Sequence, residues 1–120
     1  MNISYKTDNV VLANDVESYS EEKLAAVRKL FAHYANEDIS CEVHLAKDEK
    51  HQSGSIYRAD FTILAGSERV HGVGHGETMQ AALDAAKDEI MGRTRREKKM
   101  HRSFLRKSGE ALKNMMRWGN

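Results

Sequence analysis

Apolar and polar residues change rhythm several times along the chain, and each rhythm predicts an element. Asn2 to Lys6 alternates, with Ile3 and Tyr5 on one side, which predicts a short strand ending in a polar turn at Thr7–Asn9. Asn14 or Asp15 then stands where a helix cap is expected. Asp15 and Glu17 fall in the first turn, where the helix dipole favours negative charge. Val16, Tyr19, Val27, Leu30, Phe31 and Tyr34 fall within a band of about 120° at helical spacing, so this helix buries one face and stops softly near Asn36.

The rhythm then shortens to two. Ile39, Cys41, Val43 and Leu45 alternate with polar or small residues, predicting a half-buried strand, and Lys47 to Gly54 reads as a loop. Tyr57, Ala59, Phe61 and Ile63 repeat the pattern. Gly66-Ser67 suits a two-residue hairpin turn, and the chain returns through Val70, Gly72 and Gly74. A long helix is expected from about Thr78, with Met79, Ala82, Leu83, Ala86 and Ile90 as its apolar stripe. The expected class is α+β in the order β-α-β-β-β-α. It is a four-stranded mixed sheet with two helices packed on one face and a basic C-terminal helical extension. The uncovered face would carry Glu42, His44, Arg58, Asp60, Thr62 and His71.

The last helix changes character partway. Its stripe continues into Arg93, Glu97 and His101, so it is expected to leave the core near Met91–Gly92. That divides the chain into a domain over 1–100 and a basic amphipathic tail over 101–120. Charge makes the division sharper. The net charge is only +1, yet residues 1–86 hold 8 bases against 14 acids and residues 87–120 hold 11 bases against 4 acids. Between Arg93 and Lys107 stand eight bases and a single acid, Glu97. Like charges at helical spacing repel, so this segment predicts a polyanionic partner. Fifteen helical residues reach about 22 Å, enough to follow several phosphates.

The remaining chemistry is excluded on several grounds. At 120 residues the chain makes one domain with, at most, an appendage. No apolar run approaches membrane-spanning length, and the N-terminal residues turn polar at once, so a cytoplasmic protein is expected. Interruption of the tail's apolar stripe also argues against lipid binding. One cysteine cannot form an internal disulfide, and Cys41 lines up with core positions rather than beside a base. Gly72-Val73-Gly74-His75-Gly76 lacks the third glycine of a dinucleotide fingerprint. His71 and His75 would lie about 13 Å apart on a strand, too far to share an ion. His44 could neighbour His71, but a third ligand would have to come from Asp60. Tyr5, Tyr19 and Tyr57 read as core. No cofactor, metal, small-molecule substrate or catalysis is expected.

The segments Lys23–Phe31 (KLAAVRKLF) and, above all, His71–Asp84 (HGVGHGETMQAALD) resemble the ribosome hibernation promoting factor and ribosome-associated inhibitor A family, also called sigma modulation or S30 proteins. The resemblance spans roughly residues 1–100. It implies a protein that sits between head and body of the small ribosomal subunit, touching its rRNA and ribosomal proteins. By occupying the mRNA and tRNA sites it would silence idle ribosomes. Arg95, Arg96 and Lys98 match basic positions of the family's last helix, and Lys23, Arg28 and Lys29 lie in the first helix, where the family is also basic. Charge geometry adds Lys87, Arg93, Lys99 and Arg102. Glu89 and Gly92 depart from positions that are often basic in the family, and the first helix is acidic at Asp15, Glu17, Glu21 and Glu22. The tail with Phe104, Met115, Met116 and Trp118 resembles neither short nor inhibitor-type members, and its expected role is to extend the basic surface or grip a ribosomal protein. From the residues alone, two other classes stay open: a general double-stranded RNA-binding module, and a protein–protein adaptor acting through the tail.

Overall fold

A computed structural model describes residues 1–48 and 54–94. Strand β1 (Asn2–Asp8) leads to helix α1 (Asn14–Arg28), then β2 (Ile39–Lys47), β3 (Tyr57–Ala65), β4 (Glu68–Gly76) and helix α2 over 79–94. The sheet order is β1-β2-β3-β4. β1 pairs with β2 in parallel, and the other pairs are antiparallel. This is the expected mixed sheet with two helices.

Alternation decides which side is core. Val43 pairs with Phe61 and Phe61 with Gly72, and the inward row is completed by Ile39, Cys41, Leu45, Ala59 and Ile63, all buried. Leu24 and Val27 of α1 and Met79, Ala82, Leu83, Ala86 and Ile90 of α2 close over it. Burial pushes the Cys41 thiol up to about 12, so it packs as a neutral small side chain. Glycines on β4 allow α2 to lie directly on the strand: a Cβ on Gly74 would collide with the backbone of Ala82 and Ala86, and one on Gly76 would stand 2.7 Å from Ala81 Cβ. At the β3–β4 turn only Gly66 of the two central residues has positive φ (59°), the type II′ pattern.

Four boundaries differ from the sequence expectation. β2 keeps Lys47, expected in the loop, as its last residue opposite Tyr57. β1 runs on to Asp8, and Asn9 turns the chain with φ 60°. Neither Asn14 nor Asp15 caps α1. Ala13 occupies the cap in extended conformation without a side-chain bond, and its carbonyl accepts from the Glu17 N–H at 2.9 Å. Asp15 and Glu17 stay in the first turn, where their charge still suits the dipole. The helix also ends at Arg28 rather than near Asn36, passing into a 3-10 turn at Lys29–Phe31 and a second at Asn36–Asp38. By contrast, α2 has a side-chain cap, the Ala81 N–H donating to Thr78 Oγ1 at 3.0 Å.

Candidate nucleic-acid interface

Topology turns the charge asymmetry of the sequence into a spatial one. β4 is antiparallel to β3, β3 to β2, and β2 is parallel to β1, so β1 and β4 point the same way. Each is followed by a helix that runs back, which leaves α1 and α2 side by side and parallel. The contacts agree: Tyr19, early in α1, donates its hydroxyl to Asp84 Oδ1, early in α2, at 2.7 Å. Both N-terminal ends are acidic, with Asp15, Glu17 and Glu77. Both C-terminal ends are basic, with Arg28 ending α1, Lys29 directly after it, and Arg93 on α2. Those bases also lie at the negative poles of the two helix dipoles.

The individual bases are held differently. Lys23 Nζ lies 3.1 Å from Asp84 and 4.7 Å from the centre of the Tyr19 ring. Acceptance of the Tyr19 hydrogen bond, with the Lys23 ammonium and the nearby Lys87 charge, holds the Asp84 carboxyl below the ordinary range. The same carboxylate raises the pKa of Lys23 and of Tyr19. Arg28 acts locally. Its guanidinium donates to the Phe31 carbonyl at 2.6 Å, the Tyr34 carbonyl at 2.7 Å and Asn36 Oδ1 at 3.1 Å. These bonds satisfy carbonyls beyond the end of α1 and explain why it stops there without glycine or proline. Arg93 pairs with Glu89, one turn earlier, at 2.7 Å. Lys29 is exposed and Lys87 half-buried. Thr94 stays buried with its hydroxyl donating to the Ile90 carbonyl at 2.9 Å, so α2 keeps its packing two residues past Gly92. Arg95, Arg96, Lys98, Lys99 and Arg102 lie outside the described residues, as does the tail over 101–120.

The open face carries the predicted polar set, with one departure. Asp60 points away from the helices yet is 7% exposed, because basic side chains gather over it. Arg58 Nη2 approaches to 3.3 Å, His71 Nε2 to 3.5 Å and His44 Nδ1 to 3.6 Å, and the other nitrogen of His44 meets Asp8 at 2.5 Å. Among the described residues no His, Cys, Asp and Glu group has the geometry to hold a metal ion, and no helix is long and apolar enough to cross a membrane.

Residues 3–102 match the family described as sigma 54 modulation protein / S30EA ribosomal protein. The chain belongs to this family. The N-terminal domain of Thermus thermophilus Protein Y shares the fold of this family member at a TM-score of 0.62 and 23% identity, covering 80% of this chain and 98% of that one. A ribosomal subunit interface protein from Coxiella burnetii does so at 0.59 and 12% identity, covering 82% and 98%. No curated protein matches at the level of sequence. The Asp84 clasp is the feature that sequence reasoning passed over. Its signal was the aspartate that closes the Met79–Asp84 motif, exposed on α2 at a spacing that reaches α1.

Proposed function

We propose that this protein binds the small ribosomal subunit at the decoding and mRNA channel and silences idle ribosomes in the cytoplasm by blocking mRNA and tRNA. The observation that carries this reading is the parallel pair of helices, which brings Arg28, Lys29 and Arg93 to one end of the layer. The chain continues from that same end into Arg95, Arg96, Lys98, Lys99 and Arg102. Membership of a family described by a ribosomal protein supports it. The chemistry is occupancy. Lys and Arg neutralise phosphates and release their counterions, and the folded domain fills space. Arg28 acts by fixing the end of α1 beside Lys29, while Lys23 and Lys87 flank Asp84 on the helical surface. In this reading residues 1–100 form the bound domain and residues 101–120 extend its basic surface.

Sedimentation with separated ribosomal subunits tests it. The protein should travel with the small subunit and be displaced by mRNA together with initiator tRNA. Co-sedimentation that ignores both competitors, or preference for free RNA duplex, would overturn it. Raising salt from 50 to 200 mM should weaken the association by about a hundredfold or more if six phosphates are engaged.

A further inference from the structure

The face of the sheet that the helices leave open is not an ordinary solvated surface on its β3–β4 half. Arg58, Arg69, His71 and His75 all project there, by register and by alternation. Their one acid is Asp60, and it lies underneath: its side chain is 10% exposed, against 49% for Arg58 and 38% for His71. Positive groups therefore stand outermost over a shielded carboxylate. With neutral imidazoles this half carries two bases against one acid. Protonation of His71 and His75 adds two charges to it, and protonation of His44 offsets Asp60 from the β2 side.

We propose that this half-face is a second phosphate-binding surface, which grips the ribosomal RNA backbone when its histidines are protonated. This rests on the ribosome reading above, and it names a contact on the opposite side of the sheet from the helices. Histidine is the side chain whose charge ordinarily changes between about pH 5 and 8, whereas a phosphodiester stays anionic throughout. The surroundings of each imidazole are set by the sheet. His71 faces Asp60, with Arg69 beside it on β4 and Glu42 in the same cross-strand row. His75 pairs with Arg58 and stands near Glu77. His44 lies between Asp8 and Asp60, opposite Lys6. An RNA phosphate laid across Arg58 and Arg69 would favour the charged form of the neighbouring imidazoles. Binding and proton uptake should thus reinforce each other.

The test is affinity of the full chain for purified small subunits at fixed salt, at about pH 8 and about pH 5.5. The native protein should tighten about tenfold on acidification. H71Q/H75Q should bind as the native protein does at the higher pH and lose most of the gain. H75Q alone, at an exposed position, should lose about half of it on a logarithmic scale and guards against a folding defect in the double variant. Equal gains in native and variant proteins would assign the response to the other four histidines, His33, His44, His51 or His101, and overturn the proposal, as would no gain at all. Those outcomes leave the ribosome reading standing. Failure to bind at either pH would overturn both.

Discussion

The two sides of one sheet hold their charges in opposite ways. On the helix side, bases are tied to named partners: Lys23 to Asp84, Arg93 to Glu89, Arg28 to carbonyls at the end of its own helix. Net charge there is directional, acidic at one pair of helix ends and basic at the other, because two parallel helices lie over the strands. On the open side, Arg58, His44 and His71 converge on a single shielded carboxylate, and the charge depends on protons. The first arrangement is a fixed dipole. The second is a conditional charge. Topology alone separates them, since adjacent residues of β4 such as Gly74 and His75 belong to opposite regimes.

The largest expected effect is on the directional side. Reversal of Arg95, Arg96, Lys98 and Lys99 to Glu should weaken small-subunit binding by at least about a hundredfold. Thermal stability should change by less than about 0.5 kcal/mol if these residues stand clear of the core. Filter binding and a melting curve on the same sample check both parts. Loss of fold would make the arc structural, and unchanged binding would move the interface elsewhere.

Next comes a paired substitution that tests the two regimes on neighbouring residues. G74A puts a methyl group against the backbone of Ala82 and Ala86, where no flexible side chain can give way. It should cost about 3 kcal/mol. H75A, one residue on and facing out, should cost less than about 0.5 kcal/mol. Urea denaturation of both variants checks this. Similar values would mean that α2 does not press on β4 as described.

Smaller again is S20A. Ser20 is the polar residue inside the buried band of α1, where its hydroxyl donates to the Glu17 carbonyl and shares a 2.8 Å hydrogen bond with Tyr5. Removing it leaves the Tyr5 hydroxyl without that partner, at a cost of about 1 kcal/mol. Burial already outweighs the Ser20 bond and holds the Tyr5 phenol above its ordinary range. Spectroscopic titration of the tyrosines should show that phenol higher still in S20A.

How much of this was legible in the sequence depends on the range of the interaction. Strands β2 and β3 were readable because a period of two is a local property, and their inward residues are those the alternation picked out. The stripe of α2 was readable for the same reason at helical spacing. The end of α1 was not, since it is set by Arg28 reaching carbonyls three and six residues downstream. That is a choice of rotamer, and spacing does not encode it. Burial of Asp60 was also hidden. Alternation placed it on the open face, but only the two-dimensional register brings Arg58, His44 and His71 over one carboxylate. The basic residues of the candidate site were legible as a charge count, and their gathering at one end needed the strand directions.

The smallest effect expected is also the one that separates pairing from packing on the helix side. In D84N the amide can still accept from Tyr19 but gives Lys23 no opposite charge. Asp84 is held below its ordinary pKa, first by the Tyr19 hydrogen bond and then by Lys23. Its contribution is therefore complete above the unfolded carboxylate value of about 3.9 and is lost as pH falls through the lower folded value. Lys23 and Tyr19 have raised values, so their share is complete below their ordinary range, about 10, and is lost as pH rises beyond it. Native protein and D84N should thus differ in stability across the neutral range and converge at both extremes. Half of Asp84 is open to solvent (48%), so salt should narrow the gap at neutral pH as well. Denaturation midpoints at acidic, neutral and alkaline pH, with and without added salt, measure this directly. A gap independent of pH and salt would show that Asp84 joins the helices by packing, and that the charges on this side are less firmly tied than the contacts imply.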